Sequence, residues 1–345
     1  MAARVLLGLW LALAVLVGGS SVLPVGHALA DSDSAAQVQR QQEQPLNNAP
    51  VWRAVREGEP GVTQVRGRET GVLIQSSGET WRLIRNGPVT LYGGILLILL
   101  PILILGFYKF NGPMQLHGKP TGRSIERFTR WERIVHWSAA ITFVILAVTG
   151  ILLLFGKHFL IPVIGYSAFS WIAAVSIRLH NFVGPLFIFC MACMLVTFFR
   201  DNLPRRIDWE WLKKAPQVLT GKAHVPSGKY NAAEKGWFWG GVAFLGLVVG
   251  ASGLVLNFPN FDQTRLTMQI ANIVHGVGAL IFILASFGHI YMGTIGTEGA
   301  YEGMKTGMVD ETWAKEHHQL WYEEVRSSAA RPQAGGSAEP AKLPT

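Results

Sequence analysis

From Leu266 to Thr294 the chain carries no charged side chain. As a helix, an apolar run of that length reaches across the roughly 30 Å hydrocarbon layer of a bilayer. Within hydrocarbon only a helix or a closed barrel satisfies its own backbone, so this run reads as a transmembrane helix. Four further apolar runs precede it: Leu91 to Tyr108, Trp137 to Gly156, Asn181 to Phe199 and Gly236 to Phe258. Together they explain why only 15% of the residues are charged, against about 25% in a soluble chain. The expected fold class is an all-α integral membrane protein.

Charge assigns the sides. A net charge of +8 and a pI near 9.6 would suggest nucleic acid in a soluble chain. Here the basic residues cluster in loops beside apolar runs, which is the signature of membrane topology. Segments 109–135 and 200–235 hold six and eight Lys/Arg, whereas 157–180 holds two and 257–274 one. The basic segments are therefore expected in the cytoplasm. Residues 1–30 carry Arg4, the apolar stretch Leu6 to Val17 and Ala28-Leu29-Ala30, the pattern of a cleaved secretory signal. An exported residue 31 and five alternating spans agree with that orientation, although the exported part has seven basic residues of its own.

The expected organisation is a signal at 1–30 and an exported, partly disordered segment at 31–88. An additional transmembrane helix at 89–109 and a cytoplasmic linker at 110–133 follow. A four-helix bundle at 134–296 and a cytoplasmic tail at 297–345 complete the chain. Gly71-Val-Leu-Ile-Gln, Ser77-Gly78 and Trp81-Arg-Leu-Ile suggest a small hairpin in the exported part. Leu160 to Ile177 is also apolar, but Pro162, Gly165 and Ser167 interrupt it. It reads as a segment lying at the outer interface, because a sixth span would put the eight-charge loop outside.

Four histidines occupy span positions. His275 and His289 lie 14 residues apart on the fifth run. At about 100° and 1.5 Å per residue they return to within roughly 40° of one face, about 21 Å apart along the axis. Topology then supplies partners: His180, opening the third span outside, for His275, and His136, opening the second span inside, for His289. Paired neutral imidazoles suit haem iron, and two axial histidines leave no open position, so such an iron carries electrons. Gly184, Gly276, Gly278 and Gly288 beside the ligands, and Gly150, Gly250 and Gly253 facing them, would admit a flat macrocycle or serve helix packing. Arg127, Arg130, Arg133 and Arg178 are candidates for haem propionates as well as topological markers. The competing reading for membrane histidines is a haem-free transporter with a proton relay. His117, His158, His224, His317 and His318 fall in loops or tail and read as ordinary surface residues. Cys190 and Cys193 form C-x-x-C without a following histidine, so they read as buried apolar thiols.

With these motifs assembled, Ser124 to Glu324 resembles the cytochrome b (gamma) subunit of respiratory formate dehydrogenase. The stretches Gly228-Lys-Tyr-Asn-Ala-Ala-Glu-Lys-Gly-Trp-Phe-Trp and Trp313-Ala-Lys-Glu-His-His-Gln-Leu-Trp-Tyr-Glu-Glu carry the resemblance with the histidines. It implies a four-helix, two-haem transmembrane bundle, here with one additional N-terminal helix, and the same pairing: His180 with His275, His136 with His289. It also implies a cytoplasmic quinone site at Asn231, with His289 nearby. Glu234 stands where the family has Gln. It could donate protons to reduced quinone or cap the fourth span. Implied partners are an iron–sulfur beta subunit and a catalytic alpha subunit bearing a molybdenum or tungsten pterin, in a bacterial inner membrane. The chain's share would be electron transfer and quinone reduction, with formate oxidised on the partner. The cytochrome b of a membrane-bound hydrogenase or thiosulfate reductase shares the two-haem logic and remains an alternative.

Overall fold

In the computed structural model, residues 43, 48–57, 69, 77–220, 223 and 225–330 are described. The expected signal at 1–30, most of the segment 31–88 expected to be exported, and residues 331–345 lie outside them. Five helices are long and apolar enough to cross a membrane: α2 (Ser77–Asn111), α3 (Arg130–Phe159), α4 (Ile161–Phe198), α7 (Ala232–Asn257) and α8 (Arg265–Gly293). Short helices complete the described chain: α1 (Ala49–Glu57), α5 (Arg206–Lys213), α6 (Ala215–Leu219), α9 (Ala300–Thr306), α10 (Glu311–His317) and α11 (Gln319–Ala330).

Two expectations need correction. Residues 77–84 are helical and lead straight into the first span, so Trp81-Arg-Leu-Ile is no hairpin strand. Residues 71–76 lie outside the described set. Ser77 and Trp81 sit one helical turn apart and bond Gln269 and Asn272 of α8 at 3.1 Å each. Pro88 lacks an N–H, and the helix passes it through a π-helical turn at Arg85–Val89.

The second correction concerns Leu160 to Ile177. Apart from one break at Gly165 (φ 74°, ψ 175°), it is continuous with the third span in α4. Pro162 falls in the first turn, where its missing N–H costs nothing. From 166 to 198 the helix is about 50 Å long at 1.5 Å per residue. It therefore exceeds the roughly 30 Å hydrocarbon layer, and no reversal separates 160–177 from His180.

Contacts divide the chain into two compact units. The first comprises Met1–Pro101, Thr142–Ile188 and Leu245–Leu284. Phe143, Phe187 and Phe282 cluster in it, with Phe143 and Phe282 ring centres 4.8 Å apart. The second comprises Ile102–Ile141, Phe189–Phe244 and Ala285–Thr345. Here linker and tail form a polar-edged cap around an antiparallel pair, β1 (Ser124–Glu126) with β2 (Met308–Asp310). Val309, Trp313, Ala314 and Trp321 make its core. Indole N–H groups tie this cap and its loops to the helices: Trp137 to Met304 O at 3.1 Å and Trp239 to Asn202 O at 2.9 Å.

Gly307 aligns the cap. Its carbonyl accepts from Arg127 N at 2.8 Å and Phe128 N at 3.1 Å. Its φ is 93°, and a Cβ would stand 2.7 Å from Phe128 O. Gly307→Ala is expected to destabilise the second unit by about 2 kcal/mol or more. Thermal unfolding in detergent checks this; an unchanged midpoint would contradict it.

Candidate functional site

Each unit contains one histidine pair. In the first, α4 presents His180 and α8 presents His275, with ring centres 6.0 Å apart and planes at 77°. In the second, α3 presents His136 and α8 presents His289, with centres 6.2 Å apart and planes at 55°. An iron bound by two imidazoles needs ring centres roughly 6 Å apart: two bonds of about 2 Å, and about 1 Å from each nitrogen to its ring centre. Both spacings fit that demand. Among the described residues no group of three or more His, Cys, Asp or Glu forms a metal site. The donors come in twos, as suits an iron whose other positions a macrocycle fills.

The glycines sort by neighbour. Gly184, Gly276 and Gly288, beside the histidines, have open space where a Cβ would stand, the room a flat ring needs. Gly150 and Gly253 face the imidazoles, with would-be Cβ atoms 3.5 Å from His180 Cε1 and 3.1 Å from His275 Cε1. Gly250 and Gly278 instead meet Ile188, Val248 and Val249, so they serve helix packing. Arg127 is also otherwise occupied, as described below, and Arg133 donates to Lys305 O at 3.1 Å. Arg130 and Arg178 are exposed.

The candidate quinone residues belong to the second unit. Asn231 caps α7: its Oδ1 accepts from Ala233 N at 3.0 Å and Glu234 N at 3.1 Å. That leaves the Nδ2 group as its free donor. Glu234 completes the capping box, Oε2 accepting from Asn231 N at 2.7 Å, while Oε1 meets Arg127 Nη2 at 3.0 Å. Of the two roles considered for Glu234, the capping one is thus present, with both oxygens engaged. Arg127 is almost fully buried, lies 4.5 Å from the Trp313 ring centre and also donates to Lys229 O.

Trp237, one turn beyond Glu234, was not singled out by sequence reasoning. Its indole stacks on His289 at 4.7 Å and 10°. It starts a π-helical stretch, Trp237–Leu245, a widening often found at functional sites. Through it the Asn231 cap and the His289 ring become one structure. His318 is the other surprise. Read as a surface residue, it is 1% exposed. The tail folds back here: Ser227 Oγ donates to His317 O at 2.7 Å, and His318 Nδ1 donates to Gly228 O at 2.8 Å. Its Nε2 lies 3.9 Å from Glu234 Oε2.

These geometries accompany clear similarities. The chain matches prokaryotic cytochrome b561 over residues 127–307. It is 30% identical over 211 residues to the formate dehydrogenase cytochrome b556(fdo) subunit of Escherichia coli K12, covering 60% of this chain and 96% of that protein. It is 31% identical over 209 residues to the nitrate-inducible cytochrome b556(Fdn) subunit of the same strain, with 59% and 92% covered. A Haemophilus influenzae formate dehydrogenase cytochrome b556 subunit is 29% identical over 203 residues, with 56% and 79% covered.

Burial holds the His318 imidazole well below its ordinary value of 6.5, and Arg127 and His317 reinforce that. A detached tail takes up a proton below about pH 6.5, whereas the packed tail does not. Docking should therefore be fully stable above that pH and weaken as pH falls, by at most about 1.4 kcal/mol per unit. Limited proteolysis of the tail between pH 5 and 8 checks this. His318→Gln should remove the dependence, and an equally steep wild-type and variant profile would contradict the assignment.

Proposed function

This chain belongs to the prokaryotic cytochrome b561 family, and from that premise we propose that it is the di-haem cytochrome b subunit of a formate dehydrogenase, carrying electrons across the membrane to quinone. The observation that carries the reading is the two histidine pairs, each spaced for one bis-imidazole iron. The names of the relatives support the formate dehydrogenase assignment.

His180 and His275 would hold one b-type haem, and His136 and His289 the other. When bound, such groups supply one-electron transfer with no open coordination position. The basic segments 109–135 and 200–235 fall largely in the second unit. By the positive-inside rule that unit's loops face the cytoplasm of a bacterial inner membrane, with the mature N-terminus in the periplasm and the C-terminus inside. The His180–His275 pair then faces a periplasmic iron–sulfur beta subunit and a molybdenum or tungsten pterin alpha subunit. On that alpha subunit formate yields carbon dioxide, one proton and two electrons.

Quinone takes up two electrons and two protons to become quinol. Asn231 offers Nδ2 to a quinone carbonyl, because the cap already engages its Oδ1. Trp237, six residues along the chain from Asn231, stacks on the inner ligand His289. Glu234 anchors the loop, with His318 Nε2 3.9 Å from its Oε2, and would be the group that passes protons to the reduced quinone.

Substitution tests the pairing. His180→Ala and His275→Ala should each remove the same haem, and His136→Ala and His289→Ala the other, by reduced-minus-oxidised spectra at low temperature. Loss of different haems from His180→Ala and His275→Ala would refute it. Asn231→Leu should raise the KM for a quinone analogue about tenfold, the worth of one hydrogen bond of about 1.4 kcal/mol, and formate should still reduce the haems. Reduction of the haems by hydrogen, or their reoxidation by thiosulfate, without reduction by formate would assign the chain to one of those complexes.

A further inference from the structure

The two histidine pairs differ in how their rings are held. In the first unit both imidazoles are hydrogen-bonded through Nδ1. His180 Nδ1 lies 2.8 Å from Thr149 Oγ1. That hydroxyl gives its own proton to Ile145 O, also at 2.8 Å. The oxygen therefore accepts from the ring, and Nδ1 carries the ring proton. His275 Nδ1 lies 3.1 Å from Val249 O, a carbonyl that can only accept. Ser252 Oγ stands 3.4 Å from the same nitrogen, its proton given to Val248 O at 2.6 Å. Both rings are thereby fixed in the tautomer that leaves Nε2 bare.

In the second unit, among the described residues, the buried Nδ1 of His136 has no hydrogen-bond partner. His289 is held by a ring face instead, the Trp237 indole at 4.7 Å. Stacking orients an imidazole but accepts no proton from it.

An acceptor on Nδ1–H draws the ring toward imidazolate and makes Nε2 more basic. A more basic ligand favours the more oxidised metal. We propose that Thr149 and the Val249 carbonyl are positioning groups that set the haem held by His180 and His275 at a lower reduction potential than the haem held by His136 and His289. This rests on the two-haem reading above. It makes transfer from the first pair to the second energetically downhill, and it assigns that slope to one hydroxyl and one backbone carbonyl.

Spectroelectrochemical titration of the purified full-length chain tests it, in wild type, His180→Ala, Thr149→Val and Thr149→Ser. Two b-type components are expected, and His180→Ala should lack the lower one. Thr149→Val keeps the side chain's shape and loses the acceptor. It should shift the oxidised-to-reduced ratio of the lower component about tenfold at fixed potential, upward by about 59 mV for a one-electron couple. The other component should stay in place. Thr149→Ser restores the hydroxyl and should return the wild-type value. The inference is overturned if His180→Ala lacks the higher component, if Thr149→Val moves neither component, or if it moves both alike. If Thr149→Val loses its haem, the component missing from His180→Ala still decides the order. A wild-type chain without b-type absorbance would overturn the haem reading itself, a result distinct from two haems in the wrong order.

Discussion

An imidazole in hydrocarbon must find an acceptor for its N–H and a use for its lone pair, because no water supplies either. Each pair gives its lone pairs a shared use, and in the first unit the rings find acceptors as well. Each pair sets two rings about 6 Å apart, too far for a direct hydrogen bond and right for an atom between them. Thr149 and Val249 take up the outward N–H groups in the first unit. Gly250 and Gly278 let α7 pack closely on α4 and α8, which carry the first pair, and Gly184, Gly276 and Gly288 leave open space beside the rings. Helix packing and ligand geometry are thus set by neighbouring residues of the same helices.

Where the spans meet water, the problem reverses: charges must be held at an apolar edge without being stranded. Lys229 bridges Glu132 and Asp201, Lys235 pairs with Asp208, and Arg127 joins Glu234 to the cap core. Buried pairs of this kind contribute little net stability but are costly to break, so they favour one arrangement. Here that arrangement fixes the loop carrying Asn231, and Trp237 passes the constraint on to His289. The tail completes it by placing neutral His318 against Glu234.

Much of this was legible in the sequence because its signals are local. Five apolar runs, the loop charge bias and four histidines at span ends need no knowledge of tertiary contacts. The pairing His180–His275 and His136–His289 then follows from counting spans. What was not legible depends on contacts far apart in the chain. Trp81-Arg-Leu-Ile has strand-like composition, and it is helical because Ser77 and Trp81 must reach Gln269 and Asn272 together. The segment at 160–177 contains helix breakers, but Pro162 sits harmlessly in a first turn and only Gly165 breaks the run. Trp237 and Thr149 belong to the pairs solely through residues 52 and 31 positions away. His318 reads as a surface histidine until Gly228 and Glu234 close over it.

If each histidine pair holds one haem, the haem content of the chain must show it. Purified full-length chain, assayed for protoporphyrin iron as its pyridine complex against protein concentration, should give two b-type haems per chain. A ratio of one would leave a pair without its metal, and a ratio of zero would contradict the account outright.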